Sequence, residues 1–200
     1  MRNQKRSKER KLNRLADYDY SRSGYYFVTL CTKDKIEYFG KFLKEKIVLS
    51  KIGEIAHSHW LSIPAHYENV KIDSFIIMPN HIHCIIIIDN AEVNVGTEQC
   101  SVPTNIGQTL ISASTPNYGL LSKIIKSFKE AVTKDVRRNT GYRTFSWQRS
   151  FYDHVIRNDV ALREIRKYIV LNPAKWEIDE NNPRNILLGD RMFIRRHETN

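Results

Sequence analysis

Two residue pairs in this 200-residue chain have the types and spacing to do chemistry. His81 and His83 flank Ile82 at the head of the run HIHCIIII. Successive side chains of a strand alternate between faces, so both imidazoles point the same way and can converge on one ion. By itself such a pair more often marks two hydrogen-bonded or exposed histidines than a metal site. A second HxH, His57 and His59, falls in a helical segment, where positions i and i+2 do not face each other, and makes a poor metal pair. The other pair is Tyr168 and Asn172, in the segment DVALREIRKYIVLNP. Residues four apart share a helix face. A tyrosine hydroxyl can act as a covalent nucleophile, and an asparagine carbonyl is a hard oxygen ligand suited to Mg²⁺ or Mn²⁺. Tyr168 also continues the apolar stripe Ala161, Leu162, Ile165 and Ile169, so a plain core aromatic is the competing reading.

The elements that must position these residues follow from the hydrophobic pattern. YYFVTLCT (25–32) reads as a strand, and 38–49 as a short hairpin around Lys44–Lys46. Ser50 caps a helix that stops before Pro64. Val70 to Met78 and His81 to Asp89 are the second and third main strands, joined by the turn Met78-Pro79-Asn80. Both faces of the third are apolar beyond the histidines, so it is expected to be central, with the histidines at its end. Leu121, Ile124, Ile125, Phe128, Ala131 and Val132 mark one face of a helix from Leu120 to Val136. Phe151 to Ile156 is a fourth strand. Asp159 is expected to cap the last helix, which Pro173 ends. The order β-α-β-β-α-β plus a terminal helix is the ferredoxin-like α+β pattern with an antiparallel sheet. Residues 1–22 read as a basic arm, 23–178 as the domain, 90–118 as a polar insertion within it, and 179–200 as an irregular tail.

The net charge is +10, which favours an acidic partner, nucleic acid before membrane surface. No Lys or Arg lies between Ile72 and Ser122, whereas residues 123–167 hold twelve basic residues against five acidic ones. Such patterning suits a footprint on phosphate. Lys123, Lys126, Lys129, Arg137, Arg138, Arg149 and Arg157 are candidate phosphate contacts on a nucleic acid, and Trp147 and Tyr152 candidate stacking partners for bases. No apolar run approaches the roughly 20 residues that span a bilayer, and no signal-peptide pattern follows the basic start. A cytoplasmic, nucleoid-associated protein is expected. Cys31, Cys84 and Cys100 form no CxxC pair or disulfide framework, and the first two read as small buried side chains.

The segments YYFVTLCT, IIMPNHIHCIII, SFKEAVTK, WQRSFYDHVIR and YIVLNPAKW, in that order over residues 25–178, resemble the single-tyrosine HUH transposases, in particular the REP-associated tyrosine transposase branch. The resemblance implies a ferredoxin-like nuclease core whose terminal helix carries the nucleophile. It implies that His81 and His83 bind a divalent metal (Mg²⁺ or Mn²⁺), that Asn172 completes the site and that Tyr168 is the nucleophile. His154 takes a supporting catalytic role. The implied activity is DNA transposition by metal-dependent cleavage and strand transfer of single-stranded, hairpin-containing DNA through a 5′-phosphotyrosine. A water-using metal-dependent nuclease and a domesticated, non-catalytic hairpin-binding module are the alternatives. An RNA-binding ferredoxin-like domain would need exposed aromatics on its central strands, where IIMPNHIHCIII has aliphatics. Monomer and homodimer remain open.

Overall fold

The computed structural model describes residues 18–44, 46–90 and 119–185. The expected insertion, except Asn90, and most of the expected arm and tail lie outside them. Strand β1 (Gly24–Cys31) leads to a small hairpin, β2 (Gly40–Leu43) and β3 (Lys46–Leu49). Helix α1 (Lys51–Leu61) follows, capped by the Ser50 hydroxyl accepting from the Gly53 amide. Pro64 does not end the helical region. It sits in the first turn of a short helix α2 (Ile63–His66), where a missing N–H costs nothing. Then come β4 (Val70–Ile77), β5 (His81–Ile88), α3 (Leu120–Asn139), β6 (Tyr152–Ile156), α4 (Asp159–Leu171) and a 3₁₀ turn at Pro173–Ile178. Helix α3 runs three residues past the expected end at Val136. The cap of α4 is Asn158, whose Oδ1 accepts from the Ala161 amide at 2.8 Å. Asp159 is the first helical residue instead, where its charge still suits the helix N-terminus.

The four main strands form one antiparallel sheet in the order β4-β5-β1-β6. This is the ferredoxin-like arrangement, with β5 and β1 in the middle. The two faces of β5 serve different layers. Ile82, Cys84, Ile86 and Ile88 pack into the main core with Ile52, Trp60, Ile124 and Phe128 from α1 and α3. Ile85 belongs to a smaller core on the opposite face, with Leu162 and Ile169 of α4 and Ile156. His81 and His83 share that second face by alternation. The terminal helix therefore covers the histidine side of the sheet, and α1 and α3 cover the other.

Few buried side chains hold α4 down: only Leu162 and Ile169 are buried along its length. A second attachment comes from β4, where the register slips between Ile72 and Phe75. Such a bulge re-aims a side chain. Asp73 in the bulge accepts two bonds from Arg166 Nε at 3.0 Å and one from its Nη2 at 2.5 Å. Tyr20, in the segment expected to be a flexible arm, is buried beside the rings of Tyr18 and Tyr26.

Because so little else anchors α4, Ile169→Ala is expected to cost about 2–4 kcal/mol, measured by urea unfolding. Native-state hydrogen exchange should show α4 amides losing protection ahead of those in α3. A loss below about 1 kcal/mol would show that the helix is held by something other than this core.

Candidate active site

Asn80 organises the histidine pair. Its Nδ2 donates to the carbonyls of Lys35 and Asn181, each at 2.8 Å. With both amide protons committed, Oδ1 is an acceptor, and it faces His81 Nδ1 at 2.8 Å. His81 therefore carries its proton on Nδ1 and leaves the Nε2 lone pair free. His83 Nδ1 lies 2.9 Å from Thr29 Oγ1, and β-register places Thr29 directly opposite His83 on β1. A hydroxyl donates or accepts, so Thr29 serves either tautomer of His83. The two Nε2 atoms face each other at 3.0 Å.

Both histidines lie at the start of β5, as expected, and they are buried, at 0 % and 3 % exposure. Burial, reinforced by Lys35, lowers the His81 pKa to about 3; burial and the neighbouring His81 do the same for His83. Both rings are therefore neutral at neutral pH, the form that ligates metal.

Tyr168 is not a plain core aromatic. It is 39 % exposed, and its hydroxyl lies 3.2 Å from His83 Nε2. Burial raises its pKa, Asp179 and Glu180 add to the rise, and a side-chain hydrogen bond with Asn172 opposes it. Asn172 keeps helical φ/ψ beyond the last residue of α4, so the i, i+4 pair does share a face. Asn172 is 1 % exposed, and its Oδ1 is a buried acceptor with no hydrogen-bond partner.

Asp179 has no counterpart in the sequence reading, which put it in the irregular tail. It follows the 3₁₀ turn, and one ligand atom each from His81, His83 and Asp179 lie within 4.8 Å of one another. Its Oδ1 also accepts from the Asn181 amide at 2.6 Å. Nothing in its spacing from the histidines marks it. Only the fold of the segment back against Asn80 brings it there. Thr29, Asn80 and Phe27 were likewise unassigned. Phe27 stacks on His83 with centroids 5.5 Å apart and meets Tyr168 and Tyr152 edge-on at 6.1 and 6.4 Å.

The remaining candidates divide. Tyr152 lines a cavity with Phe27, His83 and Tyr168, and exposed Arg149 sits between two lining residues, Gln148 and Ser150. His154 pairs with Phe27, so it points to the histidine side, but it is exposed and does not line the cavity. Arg157 follows the end of β6 remote from His83, because Ile156 pairs with Tyr25 and Tyr152 with Thr29. Lys123, Lys126, Arg137 and Arg138 are exposed on α3, which lies across the sheet from Tyr168. Lys129 and Trp147 are structural. Lys129 Nζ donates to the Gln148 and Ser150 carbonyls at 2.9 and 3.3 Å, and Trp147 Nε1 donates to the Lys129 carbonyl at 3.1 Å. Trp147 packs against Phe39, Phe128 and Phe145. Of the second HxH, His59 bonds Asp135 of α3 at 3.1 Å while His57 packs on Phe75, so the two diverge as helical spacing requires. Cys84 is buried, whereas Cys31 is half-buried and lines the cavity.

The histidine shifts set an acid limit on stability. Each native ring stays neutral down to about pH 3, whereas an unfolded histidine protonates near pH 6.5. Between those values the unfolded chain binds more protons, so stability falls with pH by up to about 1.4 kcal/mol per unit per histidine. Urea midpoints in EDTA should therefore drop from pH 7 to pH 5. The drop should be much smaller in His81→Gln/His83→Gln, and an identical slope in that variant would contradict the assignment.

No protein-family model matches the chain. An uncharacterized protein of Haemophilus influenzae is 35 % identical over 170 residues, which cover 84 % of this chain and 89 % of that protein. Among solved structures, a REP-associated tyrosine transposase bound to a REP hairpin aligns with 80 % of this chain and 74 % of its own, at 17 % identity and a TM-score of 0.46. No helix among the described residues is long and apolar enough to cross a membrane. At that identity and coverage, the chain belongs to the same family as the Haemophilus influenzae protein.

Proposed function

We propose that the protein is a metal-dependent, single-strand DNA nicking and joining enzyme of the tyrosine HUH transposase type, acting near hairpins. The observation that carries this is the placement of the Tyr168 hydroxyl 3.2 Å from His83 Nε2, itself 3.0 Å from His81 Nε2. A nucleophile touches a pair of neutral, convergent imidazoles, with a carboxylate close by.

The donor set fits a divalent cation. Two neutral imidazoles and the Asp179 carboxylate make a two-histidine, one-carboxylate group. Asn172 Oδ1 is a buried acceptor in want of a partner. His81, His83 and Asp179 would hold the ion, with Asn172 as the further oxygen ligand. Mg²⁺ or Mn²⁺ bound there supplies Lewis-acid polarisation of the scissile phosphate.

The chain's own residues do the rest. Asn80 and Thr29 hold the two rings in register, so that neither Nε2 can swing away. The Tyr168 oxygen forms the bond to phosphorus as the bond from phosphorus to the 3′-oxygen breaks. This gives a 5′-phosphotyrosine and, once the leaving oxygen takes up a proton, a free 3′-hydroxyl. The phenol loses its own proton to solvent. Asn172 favours the phenolate, and neutralising Asp179 removes one cause of the raised pKa. Because the ester conserves the energy of the broken bond, a 3′-hydroxyl can reverse the step and join strands. His154, exposed on the same sheet face, is retained as a supporting residue. Arg149 and Tyr152 are the DNA contacts nearest the nucleophile, and the bases on α3 suit a flanking duplex.

Incubation with hairpin-flanked oligonucleotides and Mn²⁺ should give a denaturation-resistant protein–DNA adduct, lost by at least about a thousandfold in Tyr168→Phe. Cleavage without an adduct would favour water as the nucleophile, and binding without cleavage would favour a domesticated module. Thr29→Val should weaken Mn²⁺ binding about 10–100-fold by calorimetry with the fold intact; unchanged affinity would remove His83 from the metal site.

A further inference from the structure

A cavity of about 380 Å³ opens beside Tyr168, within the roughly 300–1,000 Å³ range of sites that enclose a small organic group. Its apolar lining is aromatic. Phe27 lies half-buried in a central strand, and Tyr152 is 52 % exposed. Its polar lining includes Glu180, Asn181 and Gln148. The Glu180 segment is fixed by its backbone: Lys35 Nζ donates to the Glu180 carbonyl at 3.0 Å, and Asn80 Nδ2 to that of Asn181 at 2.8 Å. His83 and Tyr168 line the same space, so its occupant would adjoin the reacting phosphate.

We propose that this cavity receives one unstacked guanine base of the bound strand, stacked on the exposed Tyr152 ring, with Phe27 flanking its edge, and read by the Glu180 carboxylate. The inference rests on the reading of the protein as a single-strand DNA enzyme. Aromatic surface left open on a sheet is what base stacking uses. A carboxylate near a phosphate path weakens binding unless it is satisfied by donors. Ionised Glu180 offers two acceptor oxygens and no donor. Guanine alone presents two adjacent donors, N1–H and N2–H, on its Watson–Crick edge. Adenine and cytosine place a ring acceptor beside their amino group, and thymine places a lone imino donor between two carbonyls, so each sets an acceptor against the carboxylate.

The test is equilibrium binding of the full chain in EDTA, by fluorescence anisotropy, to labelled oligothymidylates with a single central guanine, adenine, cytosine or abasic site. Guanine should bind about tenfold tighter than the abasic strand and clearly tighter than the other bases. Glu180→Gln should reduce that preference to about twofold or less, and Tyr152→Ala should weaken the guanine strand more than the abasic one. Absence of a preference, a preference for another base, or one untouched by Glu180→Gln overturns the proposal. Guanine preference in a protein that forms no adduct keeps the cavity assignment and removes the phosphotyrosine reading. Adduct formation without base preference does the reverse.

Discussion

The site depends on a strand buried on both faces that nevertheless carries two imidazoles. β5 lies between β4 and β1, and His81 and His83 are as inaccessible as its isoleucines. Burying polar rings is costly unless each nitrogen is satisfied. Here one nitrogen of each ring is committed to a neighbour, Asn80 or Thr29, and the other is turned toward its twin. The same burial that penalises charge on the rings keeps them neutral, which is what a cation requires of them. Desolvation thus serves as the device that prepares the ligands.

Asn80 links that strand to the segment after α4. One side-chain amide reaches the Lys35 carbonyl, the Asn181 carbonyl and His81. Asp179 and Glu180 are therefore held by the same residue that fixes a histidine tautomer. Tyr168 arrives from a different direction, on a helix attached by two buried side chains and the Asp73–Arg166 pair. Under the proposed function, a preformed ligand set and a lightly held nucleophile would divide the labour. The first must not reorganise, whereas the second must move with the bond it forms and later releases.

The element order and the central place of the third strand were legible in the sequence because period-2 alternation and helical spacing are local signals. So were the two convergent histidines and the helical pairing of Tyr168 with Asn172. Errors of detail came from side chains whose partners lie elsewhere. Lys129 looks like a surface lysine in its helix, yet it bonds two carbonyls of the segment before β6. Trp147 looks free to stack, yet it packs against the main core. Asp159 looks like a cap, but Asn158 takes the position because its extended backbone sets Oδ1 over the first turn. Asp179 was illegible for a stronger reason. Its role depends on how far an irregular segment folds back, and no periodicity encodes that.

The position of the basic residues gives the last constraint. Charge patterning pointed to one region, but the sheet divides that region between its faces. The α3 bases lie on the side away from Tyr168, while Arg149 and the cavity lie with it. Under the proposed function, a strand whose reacting phosphate sits at His83 lies across the sheet from those α3 residues. It meets aromatic rings, amides and the carboxylates of Asp179 and Glu180. On that reading, base contacts in the cavity supply binding beside Tyr168, and a cation on Asp179 would add to it. Under the same proposed function, the charge on α3 attracts DNA at long range, and recognition beside Tyr168 is left to shape and hydrogen bonds.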